Sequence, residues 1–260
     1  MSGKMSRNRS KATYSRELAA RDDFEMKAEQ QNRKAPPGSL TLGVSFLTHL
    51  LLILPILYIL VVAFHRPEQL FTWHPICMSL GALMIIEGVF SISGEALLSH
   101  KLSRANRITI HWIMLTTGLC LILSGLIIAI VNKDNLNKEH FVSFHAILGL
   151  TTIVLAFLVA TFGIIANNTR WLYPRIRPVL IKVLHAFGGI TMTILFIASV
   201  IAGSYTHWLE HQNVGDHDVG KKLVFASLFI AGVLVLFKPI LGAVSRTRVL
   251  IKTPQQPSNT

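Results

Sequence analysis

Four histidines, His74, His111, His145 and His185, recur along the chain at spacings of 37, 34 and 40 residues. Each spacing is about one membrane-spanning helix plus one loop, and each histidine falls in a different apolar stretch. Successive histidines therefore lie near alternate faces of a bilayer. His74 and His145 open stretches that enter from one side, and His111 and His185 open stretches that enter from the other. Depth alone pairs His74 with His145 and His111 with His185. A polar ring in hydrocarbon is costly unless it is satisfied. A single such histidine commonly does no more than hydrogen-bond a neighbouring helix, but four at matched depths point to ligation. Neutral imidazole is a usual protein ligand for iron, and two from facing helices can take both axial positions of a haem. An iron so held has no open position for oxygen or substrate, which leaves electron transfer as its work. The pattern thus predicts two b-type haems stacked across the membrane, with His74, His145, His111 and His185 as axial ligands.

Attachment of these haems is expected to be non-covalent, because the chain has no Cys-x-x-Cys-His. Cys77 and Cys120 both fall inside apolar stretches and read as small packing residues rather than a disulfide. Glycines follow the histidines at helical repeats: Gly81 and Gly118 seven residues on, Gly149 and Gly189 four residues on. A bare backbone on the histidine face would let a flat macrocycle approach closely. Helix packing is the competing use, since glycine commonly serves it in membranes.

The elements that must position these side chains are six apolar stretches, at about 40–64, 74–97, 108–131, 141–166, 181–205 and 223–244. Each is long enough to cross a hydrocarbon core of about 30 Å at about 1.5 Å per residue. With 51% apolar and 15% charged residues, the chain suits a bilayer. The expected fold class is all-α: an integral membrane six-helix bundle whose central four helices bind the haems. Its organisation is a polar cytoplasmic tail over 1–39, a transmembrane domain over 40–244, and a cytoplasmic C-terminal tail over 245–260. The tail composition cannot bury a core and reads as disordered. The first apolar stretch begins too far along for a cleaved signal peptide and reads as an uncleaved anchor.

A net charge of +12 would suggest nucleic acid in a soluble protein. Here the cations alternate by loop, nineteen Lys and Arg on one side against five on the other, so they read as topology and no nucleic-acid partner is expected. Both termini are then cytoplasmic in a multi-pass membrane protein with lipid around it. Among the cytoplasmic cations, Lys101, Arg104, Arg107, Arg170, Arg175, Arg177 and Lys182 gather near His111 and His185. Positive-inside topology by itself would place them there, but such a mouth would also attract and orient an anionic donor. On the other side His65, His140, His207, His211, Asp216, His217 and Asp218 could receive ferric iron. Glu87 sits mid-stretch in the second helix, where a proton relay or a hydrogen-bonded structural role is expected. His49 finds no partner by depth and reads as a packing or hydrogen-bonded histidine.

The run Trp73-His74-Pro75-Ile76-Cys77-Met78-Ser79-Leu80-Gly81 resembles the second-helix signature of the cytochrome b561 family. His111-Trp112, the segment from His145 to Gly149, and Leu184-His185-Ala186-Phe187-Gly188-Gly189 fall where that family places its other ligands. The resemblance covers about 40–244 and is closest to the short transmembrane-reductase branch. It implies an ascorbate-dependent transmembrane oxidoreductase. Cytoplasmic ascorbate would reduce one haem, and the other would reduce ferric chelate or monodehydroascorbate across the membrane. Donor contacts would fall on Lys101, Arg104, Arg107, Arg175 and Lys182. An endomembrane such as the ER or a vesicle is expected, with the plasma membrane as the other candidate, and a homodimer is compatible. Two departures bear on the donor. The segment after the second helix reads Ser99-His100-Lys101-Leu102-Ser103-Arg104-Ala105-Asn106-Arg107 where ascorbate-specific members carry an aromatic, arginine-containing motif, and Ala146 follows His145 where many relatives have Trp. The rival class is a proton-coupled transporter relaying protons through intramembrane His and Glu, which would favour broken helices and charges clustered at the midplane.

Overall fold

The computed structural model describes residues 38–93, 97, 99–173, 175–210 and 216–252. Six long helices follow one another: α1 (Ser39–Ala63), α2 (Trp73–Ile92), α3 (Arg104–Asn135), α4 (Phe144–Asn167), α5 (Pro178–Ser204) and α6 (His217–Lys252). Each is long and apolar enough to cross a membrane, and no strand occurs among the described residues. By contact the chain divides near Leu42, and the unit beginning at Gly43 holds every interaction described below. The N-terminal tail and residues 253–260 lie outside the described residues.

Hydropathy located the helices but not their ends. The second stretch stops at Ile92 rather than near residue 97, which places Glu87 in the last third of α2 and not at its middle. α3 starts earlier than its apolar run because the Ser103 hydroxyl accepts the Asn106 N–H at 3.1 Å, a side-chain N-cap. Ser143 caps α4 in the same way through the Ala146 N–H at 3.3 Å, and Pro178 occupies the first turn of α5, where its missing N–H costs nothing. α6 continues past Val244 to Lys252. Polar residues carry these helices beyond the hydrocarbon, where hydropathy has no signal.

Packing follows chain order. α2 packs along α3, α4 along α5, and α5 along α6, while α2 meets α5 across the middle. Two antiparallel hairpins, α2–α3 and α4–α5, therefore face each other. α2 is the most enclosed span, with 56% of its apolar window buried, against 17% for α3 and 22% for α4. The core joins Ile85, Ile122, Ile153, Ala156, Met192 and Phe196 from all four helices. Large apolar side chains such as Ile113, Ile127, Val154 and Ile194 point outward, as a lipid-facing surface requires.

Candidate haem sites

Each of the four histidines faces its counterpart across the two hairpins. The His74 and His145 ring centroids lie 6.2 Å apart with the rings at 83°. Those of His111 and His185 lie 6.5 Å apart at 90°. In each ring Nδ1 donates to a main-chain carbonyl of the adjacent helix of its own hairpin. His74 donates to Gly125 at 2.9 Å and His111 to Gly88 at 2.9 Å; His145 donates to Ser199 at 3.1 Å and His185 to Val159 at 3.1 Å. A carbonyl can only accept, so Nδ1 carries the proton and Nε2 keeps its lone pair. Among the described residues no protein group takes up these Nε2 atoms. A tethered Nδ1–H that fixes tautomer and ring orientation is the usual support of a metal-bound histidine.

The contacts obey one register rule. Gly88 lies 14 residues after His74 and Gly125 14 after His111; Val159 lies 14 after His145 and Ser199 14 after His185. Each histidine thus reaches the carbonyl 14 residues beyond the histidine of its partner helix. This makes each hairpin locally two-fold, and it separates the two imidazole levels by about 21 Å at about 1.5 Å per residue.

The glycines divide by role. A Cβ on Gly81 would stand 2.8 Å from the Gly118 carbonyl, and one on Gly118 would stand 2.8 Å from the Gly81 carbonyl. These two glycines bring α2 and α3 into backbone contact, so their expected opening towards a macrocycle gives way to helix packing. Around Gly149 only the Ser199 hydroxyl comes within 4 Å, at 3.5 Å, and nothing comes that close to Gly189. That pair leaves open space. Two further glycines had escaped notice: a Cβ on Gly203 would meet the His145 ring at 3.0 Å, and one on Gly163 the His185 ring at 3.0 Å.

The residues fit haem. With metal–imidazole bonds of about 2.0 Å and about 1.1 Å from ring nitrogen to ring centre, two imidazoles on one metal would stand with centroids about 6.2 Å apart. Both pairs meet that spacing. Two imidazoles suffice only for a metal that brings its other ligands with it, as haem iron does.

A family model described as eukaryotic cytochrome b561 matches residues 73–210, a stretch spanning all four histidines. The chain belongs to the cytochrome b561 family. It is 32% identical over 163 residues to the human protein named transmembrane reductase CYB561D2, covering 60% of this chain and 71% of the relative. It is 30% identical over 175 residues to mouse probable transmembrane reductase CYB561D1, covering 66% and 75%. It is also 25% identical over 216 residues to rat plasma membrane ascorbate-dependent reductase CYBRD1, covering 79% and 74%. This cytochrome b561 is accordingly a multi-pass transmembrane oxidoreductase of the short branch, in a family that binds haem.

At the end of the bundle where α2 gives way to α3, Lys101, Arg104 and Arg175 are exposed while Arg107 and Lys182 are half-buried. Arg177 is engaged with α6, where its guanidinium donates to the Leu250 carbonyl at 3.1 Å. Among the described residues no three His, Cys, Asp or Glu side chains gather at the opposite end to hold a bare ion. His140 there pairs with Asp134 at 2.8 Å, and His211 lies outside the described residues. Cys77 and Cys120 are free thiols. His49, which depth left without a partner, has its Nδ1 2.8 Å from Glu87 Oε1. The span-by-span reading missed that pair, although two ionisable side chains on neighbouring apolar helices are themselves a signal.

Proposed function

We propose that this cytochrome b561 passes electrons singly across its membrane between two b-type haems, one held by His74 and His145 and the other by His111 and His185. Cytoplasmic ascorbate is the donor, and ferric chelate or monodehydroascorbate is the acceptor on the opposite side. The observation that carries the proposal is the pair of cross-hairpin imidazole sites, each with Nδ1 tied to a carbonyl and Nε2 open. Haem held there by His74 and His145, and by His111 and His185, would supply a one-electron couple.

The chain's own residues do the rest. The Gly125, Gly88, Ser199 and Val159 carbonyls hold the rings in one tautomer. The apolar side chains between the levels, Ile85, Ile122, Ile153, Ala156, Met192 and Phe196, exclude water from the middle of the path. Lys101, Arg104, Arg107, Arg175 and Lys182 supply a positive mouth beside His111 and His185, suited to an anionic reductant. The nineteen-to-five distribution of cations supports assigning that mouth to the cytoplasm, with both termini on the same side. The name of the rat relative supports ascorbate as donor. We assign the protein to an endomembrane.

The test is a visible spectrum of detergent-purified protein, expected to show two low-spin b-type haems, followed by flux in oriented vesicles. Ascorbate on the cytoplasmic side should drive ferric reduction on the other. Reversal of Lys101, Arg104 and Arg107 to Glu should slow reduction by ascorbate without altering the oxidised spectrum. A colourless folded preparation, or equal activity with ascorbate on the wrong side, would overturn the reading.

A further inference from the structure

Among the described residues Glu87 is the one acid in the body of a span; Asp134 and Asp218 lie at helix ends. It is mostly enclosed, at 14% side-chain exposure, and its Oε1 meets His49 Nδ1 at 2.8 Å, with His49 at 23%. Phe90 closes one side, its ring edge-on to His49 with centroids 5.3 Å apart. Neither residue belongs to the four-histidine set, so iron ligation does not account for the pair. The next residue along α2, Gly88, accepts the Nδ1–H of His111 at 2.9 Å. An imidazole–carboxylate pair therefore sits at the level of one haem site and not the other.

Two buried hydroxyls lead to it from the end of the bundle that carries Lys101 and Arg104. Ser45 lies one turn from His49 on the same face of α1, is 2% exposed, and its Oγ has no hydrogen-bond partner among the described residues. Ser91 lies one turn beyond Glu87 on α2, 7% exposed, and donates to the Gly88 carbonyl at 2.8 Å. The remaining titratable or charged groups on this half of the helices packed against α2 are, among the described residues, Arg104, Arg107 and His111 on α3, Lys182 and His185 on α5, and Lys238, Arg246, Arg248 and Lys252 on α6. All are cationic or imidazole, so Glu87 is the one acid on these helix halves among the described residues.

We infer that His49 and Glu87 form a redox-linked proton site for the His111–His185 level, an inference that rests on the haem reading above. With imidazole neutral and carboxylate ionised the pair would carry one negative charge, opposite in sign to the one positive charge of an oxidised iron–porphyrin core. An electron arriving from the donor cancels that positive charge, and in a low-dielectric interior the uncompensated carboxylate becomes costly. One proton from cytoplasmic water, passed by way of Ser45, then neutralises the pair. It returns to the same water when the electron moves on to the His74–His145 level. Electron and proton are both conserved: the reductant supplies the first and the aqueous phase supplies the second.

Since the electron raises proton affinity at the pair, the midpoint potential of that one haem falls as pH rises. Spectroelectrochemical titration of the full-length holoprotein over about pH 5 to 8 should give one midpoint that falls by up to about 59 mV per pH unit, the one-electron equivalent of a tenfold change. The other midpoint should stay level. The sloping haem should be the one absent from His111→Ala. Glu87→Gln and His49→Gln should each flatten the slope, and Glu87→Asp should keep it. A slope that survives in Glu87→Gln, or level midpoints for both haems of the wild type, overturns the proton site while leaving the haem reading intact. A haem-free preparation instead overturns the haem reading and this inference with it. Should the variants fail to fold, dye-monitored proton uptake by the wild type in weak buffer decides. One proton taken up as the sloping haem is reduced supports the site, and none overturns it.

Discussion

The hairpins α2–α3 and α4–α5 present their imidazoles through the same 14-residue register but pack in different ways. In α2–α3 the acceptor carbonyls belong to Gly88 and Gly125, and Gly81 and Gly118 let the two backbones touch. The histidines of that hairpin head the same series on both helices, His-x6-Gly-x6-Gly. In α4–α5 the acceptors are Val159 and Ser199, and Gly203 and Gly163 lie against the edges of the rings themselves. Spare space lies at Gly149 and Gly189. One hairpin spends its glycines on helix-to-helix distance, and the other spends them on the rings and on room beside them. Equivalent site geometry thus arises from unlike packing, and the two hairpins should fail in different ways when disturbed.

The strongest test removes a ring. Since the sites join one hairpin to the other, His74→Ala and His145→Ala should lose the same haem, and His111→Ala and His185→Ala the other, each keeping roughly half the normal content. Haem assay with low-temperature spectra distinguishes the two losses, and a loss shared by His74 and His111 would mean that pairing runs within a hairpin instead.

Next in size is a contrast in stability. Gly81→Ala and Gly118→Ala place a methyl against an opposing backbone carbonyl, which cannot yield as a side-chain tip can, so each should cost about 1–3 kcal/mol. Gly149→Ala and Gly189→Ala meet no such obstacle in the protein. They should leave the thermal midpoint of haem-depleted protein unchanged and lower haem retention, if the open space is where the macrocycle lies. Equal destabilisation by all four would erase the distinction between the hairpins.

The smallest effect belongs to Gly163→Ala and Gly203→Ala. A Cβ at 3.0 Å from a ring carbon demands only a few tenths of an ångström of adjustment. Haem content should persist while the electron paramagnetic resonance signal of one haem shifts: that of the His145 site in Gly203→Ala, that of the His185 site in Gly163→Ala. A shift in the opposite haem would show that the glycines act through the bundle and not on the adjacent ring.

What the sequence disclosed follows from how far each signal reaches. Six spans were legible because hydropathy is summed over some twenty residues, and the depth of each histidine was legible because it opens its span. Rotation about the helix axis was not, because depth says nothing about which neighbour a face meets. That is why His49 and Glu87, 38 residues apart and on different helices, looked unrelated. The carbonyl acceptors were invisible for a simpler reason: every residue carries one, and only packing selects Gly88, Gly125, Val159 and Ser199. Gly81 and Gly118 were noticed but left between a macrocycle and a neighbouring helix, since a seven-residue repeat identifies a face without naming what lies against it. The starts of α3 and α4 were written plainly in Ser103, which precedes its apolar run, and in Ser143, a polar residue inside the next one.

The belt between the two imidazole levels has a consequence of its own. Its buried side chains are apolar apart from Ser79, Thr152 and Thr193, whose hydroxyls turn back on the Ile76, Leu148 and Gly189 carbonyls of their own helices. Among the described residues no chain of buried donors is left there for a proton to follow. An electron that crosses does so without a compensating proton, so each turnover under the proposed function moves a net charge through the bilayer. The protein would then behave as a current source working with or against the membrane voltage, at about 2.3 kcal/mol per elementary charge for each 100 mV. In sealed vesicles its rate should fall as charge accumulates and recover when an ionophore collapses the potential.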